Sequence, residues 1–488
     1  LADVVTPVLC HLYNYSVANG VYPACWKQSL VVPLKKVNKP VGVSDFRAIN
    51  ILCASGKVFD KIIYGELNQF LMNNNILNER QSAYRTGYST ETALVRVCDD
   101  IRRAMDERNI TILVMIDLSR AFDRVQHEVL LFILESVGIS ERMLKWFKSY
   151  LLERSQSTKG LDGTVSMALK TKIGVPQGSV LSAMCFSLFI NSLPMVLDRC
   201  KYMLYADGLQ VYMHAPLCDL EQAIISVNLE LQKLVVWCQN HGMAINVNKC
   251  NAMVVAYPRL RTNICFERIP RIEIDGQVLE YVDEVKNLGV WFTSTLSWSM
   301  QVTKVCNNVF SALYQLRRLA VDFPFRVRLQ LVQALVLHNF DYAATAFCDL
   351  NGEEIEKLQK AQNAIIRFVF RLRLDDHVTP YYRRLGMLKI KEKMKLAVAV
   401  LLFKNLKFGT PKYLTDDFVF LSDTHDRDTR NKLLRVPKHR TTIFNKSYCA
   451  FATRLFNENC NYFDTNLNIS TFKKKFTDML MKTYTPSE

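Results

Sequence analysis

The apolar positions of the N-terminal third predict helices together with one short strand. Residues 1 to 30 have the spacing of a helix that ends near Gly20 and continues into a short link. Residues 32 to 37 predict a strand, followed by a loop to Asp45. Residues 51 to 75 and 90 to 108 predict two helices, of which the second begins at a Ser-Thr cap. The expected apolar face of the helix at 51 to 75 contains Val58, Ile62, Ile63, Leu67, Phe70 and Leu71.

The middle of the chain has the pattern of a sheet. The run ITILVMIDL, which ends at Leu118, is apolar throughout and rich in β-branched residues, as is typical of a buried central strand. Residues 180 to 197 predict a long buried helix, and residues 200 to 214 predict two alternating strands joined at Asp207-Gly208. Residues 219 to 241 predict a further helix.

The C-terminal half is mainly helical in pattern. Two strand-like stretches, near MVVAY and EIDGQVLEYVDEVKNLGVWF, precede it. From about Trp298 the apolar spacing is helical, with loops around residues 375 to 380 and 422 to 438. The chain is therefore predicted to have an α+β core followed by a helical half.

The composition indicates a folded chain with a polyanionic partner. Hydrophobic residues make up 49% of the 488 residues and charged residues 22%, which excludes a disordered polymer. The net charge of +16 favours nucleic acid over an anionic membrane surface as the partner. No apolar run approaches the ~18 residues that a membrane-spanning helix needs, and no signal peptide follows Leu1. We therefore expect an intracellular protein without a membrane segment, and a piece of a longer product.

The fourteen cysteines do not indicate a metal site. No CxxC pair occurs, and the most closely spaced pair, Cys449 and Cys460, is 11 residues apart. Structural zinc sites need paired ligands at short spacing. We interpret the cysteines as reduced thiols of an intracellular protein.

Two aspartates stand where strands are predicted to end. Asp117 closes the central strand, where a carboxylate would bind Mg²⁺ or, alternatively, cap the following helix. Asp207 would lie at the hairpin tip, although Asp-Gly is itself a favoured hairpin turn. Held together, the two carboxylates would place two metal ions about 4 Å apart for a phosphoryl transfer. Between Asp117 and Asp207, the segment IGVPQGSVLSA predicts a loop. Gly178 in this loop would allow a sugar or phosphate to approach the backbone closely; alternatively, the loop is an ordinary strand-to-helix turn.

In this order the segments resemble the reverse transcriptase palm of non-LTR retrotransposons of the jockey and CR1 kind. DLSRAFDRV is similar to motif A, GVPQGSVLS to motif B and YADG to motif C. The segments PACWKQSLVVPLKK, DFRAINIL, GKVFDKIIYGEL and RQSAYRTGYST resemble the fingers, and LVVWCQNHGMAINVNKCNAM and VKNLGVWFTSTLSW resemble motifs D and E.

The resemblance implies an RNA-directed DNA polymerase with a right-hand fold: fingers, a palm with an antiparallel sheet, a helical thumb and a mainly helical C-terminal region. The implied boundaries are 1–27 for an N-terminal helical extension, 28–291 for fingers and palm, 292–350 for the thumb and 351–488 for the basic C-terminal region. In this family an endonuclease usually precedes the polymerase, and we expect this chain to lack it.

The resemblance also assigns roles to residues. Asp117 and Asp207, with the carbonyl of Leu118, would hold two Mg²⁺ ions, for which Mn²⁺ is an alternative. Phe122 would exclude a ribose 2′-hydroxyl or serve only as a core residue. Lys36 and Arg47 would bind the triphosphate, Gln177 and Gly178 would line the nucleotide and template, and Lys249 would protonate the pyrophosphate. Taken singly, each lysine is better explained as a solvated charge, and the family context makes the two interpretations about equal. The implied partners are an RNA template, a DNA primer or RNA–DNA hybrid and deoxynucleoside triphosphates. The residues from Asp426 onward, with 12 Lys and Arg against 6 Asp and Glu, suit phosphate contact.

Motif C departs from the family at one position. The family has Tyr-x-Asp-Asp, whereas Gly208 replaces the second Asp here. A unit charge at ~4 Å from the metals is worth up to about 4 kcal/mol, or as much as roughly 10³-fold in rate. Asp123 and Asp219 are candidate substitutes for the missing carboxylate, although Asp123 belongs to the ordinary motif A pattern and gives no sign of compensation. Two functions follow: an active or impaired reverse transcriptase, or a polymerase-shaped RNA- and DNA-binding remnant without catalysis. Further departures occur at Ala48, Ala83, Ala183 and Phe456.

Overall fold

The computed structural model describes residues 2 to 319, 323 to 423 and 433 to 482. Its strands are β1 (Gln28–Lys35), β2 (Phe46–Ile51), β3 (Ile110–Asp117), β4 (Ser155–Thr158), β5 (Leu169–Lys170), β6 (Lys201–Tyr205), β7 (Gly208–Ala215), β8 (Asn251–Val255), β9 (Ile272–Ile274), β10 (Gln277–Leu279), β11 (Glu284–Asn287) and β12 (Val290–Thr293). The helices of the first part are α1 (Ala2–Asn19), α2 (Ala54–Asn73), α3 (Thr90–Asp106), α4 (His127–Ser136), α5 (Glu141–Leu151), α6 (Val180–Phe189), α7 (Leu220–Asn240) and α8 (Pro258–Arg261). The helical half contains α9 (Ser299–Leu319), α10 (Phe325–Leu335), α11 (Gly352–Phe370), α12 (Thr379–Leu385), α13 (Ile390–Phe408), α14 (Lys412–Thr415), α15 (Thr442–Asn445), α16 (Tyr448–Glu458) and α17 (Ile469–Met481).

The central sheet has the strand order β6-β7-β3-β8, and every neighbouring pair is antiparallel. Strand β3 is covered on both faces, because Ile112, Val114 and Ile116 belong to one hydrophobic core and Leu113 to the other. Burial on both faces explains why β3 is apolar throughout rather than alternating. The sheet therefore holds the end of β3, where Asp117 lies, between two packed layers.

A second sheet, with the order β2-β1-β4-β5, stands beside the central one. Strand β1 pairs with β2 in antiparallel register and with β4 in parallel register. The loop before α6 is tied to β2, because the Asn50 amide donates to the Gln177 carbonyl at 2.8 Å. This contact fixes the second sheet against the loop that contains Gly178.

The helical half packs directly on α3. The carboxylate of Asp99, on α3, accepts the backbone N–H groups of Tyr448 and Cys449 at 2.9 and 2.8 Å. Arg102, one helical turn further, pairs with Asp349 at 2.7 Å. One continuous core extends from Ala93 in α3 to residues of α17. The predicted α+β core with a helical half is confirmed, and no helix in the described residues is long and apolar enough to cross a membrane.

Several local predictions were wrong in detail. The buried face of α2 contains Phe59, Ile63, Leu67 and Leu71, while Val58 and Ile62 are 50% and 48% exposed. The face is turned by about one residue because Phe59 stacks on Tyr13 of α1, with ring centroids 4.5 Å apart. Strand β2 takes residues 46 to 51, so that α2 begins only at Ala54.

Two further corrections concern the segment from 180 to 215. The predicted helix to residue 197 ends at Phe189, and Pro194 lies in a separate 3-10 turn, Leu193–Val196. The hairpin turn consists of Ala206 and Asp207, because Tyr205 pairs with Gly208 across it. The predicted loop at 422 to 438 and the basic tail from Asp426 fall partly outside the described residues.

Candidate active site

A cavity of about 900 Å³ opens between the second sheet and one end of the central sheet. The nine residues to which the resemblance assigns a role all line it, although they come from six separate segments of the chain. They are Lys36, Arg47, Asp117, Leu118, Phe122, Gln177, Gly178, Asp207 and Lys249. The structure thus brings the whole predicted set together, while the role of each residue stays a prediction.

The two aspartates meet because strands β3 and β7 are neighbours. Asp117 is in register with Gly208, the residue that follows Asp207. The hairpin turn places Ala206 in the left-handed region, with φ of 52°. Burial raises the pKa of Asp207, and the negative charge of Asp117 raises it further, whereas Lys249 and Arg47 lower it. A nearby cation stabilises the charged form of a carboxylate in such surroundings.

The backbone around Leu118 is fixed by the segment before Lys249. The Asn246 amide donates to the Asp117 carbonyl at 2.8 Å, and the Ser119 amide donates to the Ala244 carbonyl at 2.7 Å. These bonds flank Leu118, which forms a β-bridge with Ile245. They also position Lys249, whose Nζ lies 3.4 Å from a carboxylate oxygen of Asp117. The lysine side chain is 62% exposed, so this ion pair lies at the rim and is screened by solvent.

Phe122 forms an aromatic wall of the cavity. Its ring stacks on Phe186 of α6, with centroids 4.6 Å apart and an interplanar angle of 21°. The Tyr84 ring is nearly perpendicular to it, with an interplanar angle of 86° and 6.4 Å between centroids. The Val175 amide donates to the Phe122 carbonyl at 2.9 Å. Phe122 is therefore fixed by both its ring and its backbone while it lines the cavity.

The loop that contains Gln177 and Gly178 packs closely on strand β2. A Cβ atom at Gly178 would lie 2.3 Å from the carbonyl oxygen of Asn50, so only glycine fits there. The Gln177 amide also donates to the Asn50 side chain at 3.2 Å, and its own side chain donates to Asp123 at 2.9 Å. The sequence predicted that the backbone at Gly178 lets a sugar or phosphate approach closely. In the structure the group that approaches Gly178 is the Asn50 carbonyl of β2, and the approach of a ligand stays a prediction.

The sequence predicted that Gly208 lies at the tip of the hairpin. In the structure it is instead the first residue of β7. Its φ angle lies outside the left-handed region. A Cβ atom there would meet the Tyr205 carbonyl at 3.4 Å, which is ordinary van der Waals contact. The backbone therefore admits a side chain at this position without strain.

The two candidate substitutes for a carboxylate at position 208 lie in different places. Asp219 precedes α7, beyond Ala215, and Ala215 is at the end of β7 opposite to Gly208. Asp123 lines the cavity and accepts the side-chain hydrogen bond of Gln177.

Two residues that line the cavity, and one that lies beside it, were not identified from the sequence. Tyr84 and Arg120 both line it and both have left-handed backbones, with φ of 58° and 49°. Asn50 holds the Gln177 loop. Tyr84 belongs to the RQSAYRTGYST segment and Arg120 to DLSRAFDRV, so the motifs contained them, but residue spacing gave no signal of their backbone conformation.

The donor set fits Mg²⁺ that arrives with a substrate. In the described part of the chain, no group of three or more His, Cys, Asp or Glu side chains could hold a metal. The cavity instead offers the carboxylates of Asp117 and Asp207, which are hard oxygen donors. Mg²⁺ is commonly bound by one or two carboxylates plus substrate phosphates, and Mn²⁺ accepts the same oxygen ligands.

Comparisons with known proteins agree on one family. The model of the family described as "Reverse transcriptase (RNA-dependent DNA polymerase)" matches residues 34–292. The probable RNA-directed DNA polymerase from transposon BS of Drosophila melanogaster is 26% identical over 329 residues, and the match covers 63% of this chain and 34% of that protein. The polymerase from the mobile element jockey of the same organism is 26% identical over 317 residues, 62% of this chain and 33% of that protein. This chain spans about a third of the length of these relatives.

A likeness to solved structures is also present. Telomerase from Candida albicans, in complex with a fragment of telomeric RNA, aligns with a TM-score of 0.40 and 13% identity, covering 77% of this chain and 67% of that one. The family match includes both strands that meet at Asp117 and Gly208, together with the second sheet from residue 34 onward. The described strands and helices confirm the predicted α+β fold class, and the chain belongs to the reverse transcriptase (RNA-dependent DNA polymerase) family.

Proposed function

We propose that this chain performs RNA-templated DNA synthesis for a non-LTR retroelement. The observation that supports the proposal most is the convergence of three carboxylates, four cations and an aromatic wall on one cavity. The reaction is attack of a primer 3′-hydroxyl on the α-phosphate of a deoxynucleoside triphosphate, with pyrophosphate as the leaving group. The proposed division into fingers and palm (28–291), thumb (292–350) and C-terminal region (351–488) belongs to the same proposal.

Asp117 and Asp207 are the proposed ligands for two divalent cations, with the Leu118 carbonyl beside them. When bound, such cations neutralise the charge that develops on the transferring phosphoryl group. The raised pKa of Asp207 supports this assignment, because burial and Asp117 disfavour its lone negative charge. The protein's own contribution is to hold the reacting atoms in line, since phosphoryl transfer needs little covalent chemistry.

The remaining groups position the nucleotide. Arg47 lies in β2 of the second sheet and Lys36 directly follows β1. Both line the cavity, where the guanidinium of Arg47 suits a bidentate contact with phosphate oxygens. Lys249 is near Asp117 and would donate a proton to the pyrophosphate as it leaves. Phe122 would exclude a 2′-hydroxyl, because its ring is held between Phe186 and Tyr84 and cannot easily move aside.

Gly208 leads us to propose that this copy is impaired. The position is directly across from Asp117, so an aspartate there would add a third carboxylate to the metal site. The second candidate function, an RNA- and DNA-binding remnant without catalysis, is favoured by the same glycine. Binding of a template is expected of both candidate functions. Primer extension that depends on divalent cations is expected only of the reverse transcriptase.

The test is primer extension on a homopolymer RNA template with deoxynucleotides and Mg²⁺ or Mn²⁺. We expect weak extension by the parent chain and stronger extension by Gly208→Asp. Asp117→Ala in the Gly208→Asp background serves as the inactive control, because it keeps the hairpin and removes a proposed ligand. Absence of extension by both chains, with template binding retained, would favour the remnant.

A further inference from the structure

Helix α7 has a second apolar face, which the fold of the chain leaves in solvent. Its first face, which includes Ile224 and Leu231, is buried in the same core as one face of the central sheet. On the outer side of the helix, Ile225, Leu229 and Val236 are 44%, 54% and 53% exposed. Apolar residues scattered singly over a surface are ordinary, but these three follow one line along the helix.

We call this outer line the α7 ridge. It consists of six exposed residues, which are Gln222, Ile225, Leu229, Gln232, Val236 and Gln239. Successive members are three, four, three, four and three residues apart. At about 100° of rotation per residue, all six therefore lie within an arc of about 100°. A repeat that averages about 3.5 residues is the spacing by which two helices pack along their length. The ridge thus has the geometry of one half of a helix pair.

The ridge is uncharged, although the chain has a net charge of +16. Among the exposed residues of α7, only Glu221 and Lys233 are charged, and both lie at the margins of the ridge. The ammonium of Lys233 is already paired with Asp198 and with Glu230, the latter at 2.9 Å. A nucleic-acid partner would need cations on this surface, so the ridge suits a protein partner instead.

A groove runs along one flank of the ridge. The 3-10 turn Leu193–Val196 packs against α7 and leaves Met195 72% exposed. Between this turn and the helix lies a groove of about 920 Å³, whose lining includes Val196, Leu229 and Val236. A helix laid on the ridge would therefore also cover apolar side chains of the groove.

The ridge is complementary to a second copy of itself, because its spacing is the same in both directions. When two copies of α7 lie antiparallel, every ridge residue is opposite a ridge residue of the other copy. The opposed pairs are Gln222 with Gln239, Ile225 with Val236, and Leu229 with Gln232. Two-fold symmetry forms each pair twice. The amide of a glutamine both donates and accepts hydrogen bonds, so glutamines can pair with each other, whereas two like charges could not.

We infer that the α7 ridge is the interface of a homodimer, in which two copies of α7 pack antiparallel about a two-fold axis near Glu230 and Leu231. The contact would extend over about 26 Å of helix, from Gln222 to Gln239. Such a contact is at the low end of specific interfaces, so we expect a dissociation constant of roughly 1 to 100 µM. The inference goes beyond the proposed function and does not depend on catalysis, because no ridge residue lines the active-site cavity.

The test is sedimentation equilibrium of the nucleic-acid-free chain over roughly 1 to 200 µM. The buffer contains about 0.3 M salt, which screens the repulsion between two basic copies. We expect the parent to pass from monomer to dimer over this range. Ile225→Glu and Val236→Lys should each weaken association about hundredfold or more, because symmetry buries each unpaired charge twice.

A double variant tests the antiparallel register. Ile225→Glu/Val236→Lys places opposite charges across both equivalent positions of the dimer, so association should return to within about tenfold of the parent. The two residues are eleven positions apart on one helix, too far for contact within a single chain. Recovery can therefore come only from the second copy.

The matched control is Ile62→Glu on α2, which changes an isoleucine of similar exposure, 48% against 44% for Ile225. It should dimerise as the parent does, and thermal unfolding of every variant shows whether it is folded. A parent that stays monomeric at about 200 µM would overturn the inference. A dimer that persists in folded Ile225→Glu and Val236→Lys, or that Ile62→Glu disrupts equally, would overturn the assignment to α7.

Two further outcomes decide the register and the class of partner. Loss of the dimer in both single variants, without recovery in the folded double variant, would overturn the antiparallel pairing. A monomeric parent whose affinity for single-stranded RNA falls in Ile225→Glu, but not in Ile62→Glu, would overturn the homodimer and assign the ridge to nucleic acid. Dimerisation of a chain that extends no primer would uphold the inference while the proposed catalysis fails.

Discussion

Restoring a carboxylate at position 208 tests the proposed mechanism most directly. Gly208 begins strand β7 and is in register with Asp117. Opposite residues of an antiparallel pair place their Cβ atoms about 5 Å apart on one face of the sheet. Because a Cβ atom fits without a clash and φ is not left-handed, Gly208→Asp should fold with its carboxylate beside that of Asp117. The loss of stability that a positive φ at a hairpin tip would cause is not expected here.

The size of the effect follows from charge and distance. A new carboxylate attracts a divalent ion with two units of charge and repels Asp117 with one, so that about one unit of attraction remains at ~5 Å. This is worth about 0.8 kcal/mol in water and about 3.3 kcal/mol at an effective dielectric constant of ~20. Asp117 is 32% exposed, which places the site between these limits. We therefore expect extension to rise by roughly 4- to 250-fold.

The assay compares three chains that differ only at position 208. Extension of a DNA primer on RNA is measured with Mg²⁺ titrated, for the parent, Gly208→Asp and Gly208→Asn. Asparagine has the shape of aspartate without its charge, and it separates the electrostatic effect from filling of space. We expect the aspartate variant to reach half-maximal extension at lower Mg²⁺ and the asparagine variant to behave like the parent. Equal gains for both variants, or no gain over an already active parent, would refute the electrostatic reasoning.

Four other substitutions test separate parts of the structure. In the Gly208→Asp background, Asp117→Ala and Asp207→Ala should each abolish extension while RNA affinity, measured by filter binding, stays within about threefold; normal extension would remove that carboxylate from the mechanism. Phe122→Val should raise the ratio of ribo- to deoxynucleotide addition, and an unchanged ratio in an active chain would leave Phe122 a packing residue. Burial raises the pKa of Asp99 from 3.8 to about 6, so the stability that its protonation contributes is lost as pH rises through 6. The parent's advantage over Asp99→Asn in denaturant unfolding should therefore shrink between pH 4.5 and 7.5, and a constant difference would contradict it.

The carboxylates and the strands that hold them could be predicted from the sequence because their signals are local. An apolar run ending in Asp117 and an alternating run ending near Asp207 each indicate a strand by themselves. The register between the two strands is not local. The observed register places Gly208, rather than Asp207, across from Asp117. The turn consists of Ala206 and Asp207, instead of the predicted Asp207 and Gly208.

Other features of the site depend on contacts between distant segments. The fit of Gly178 against Asn50 joins residues 128 positions apart, and nothing in either segment predicts it. Tyr84 lines the cavity because its backbone is left-handed, which is unusual for a tyrosine and invisible in residue spacing. The face of α2 was misplaced for the same reason, since the partner that selects Phe59 is Tyr13 on another helix.

The register at Gly208 leads to a last prediction, on stability rather than rate. Without a metal, an aspartate at 208 would face Asp117 as a like charge directly across the sheet, which is destabilising. With a bound divalent ion the sign reverses, because ligand binding to the folded state stabilises it by mass action. Gly208→Asp should therefore unfold at a lower temperature than the parent in chelator and gain more from added Mg²⁺ than the parent does. Gly208→Asn, which has no charge, should show neither shift. If all three chains respond equally to Mg²⁺, position 208 does not face the metal site, and the pairing with Asp117 would have no bearing on catalysis.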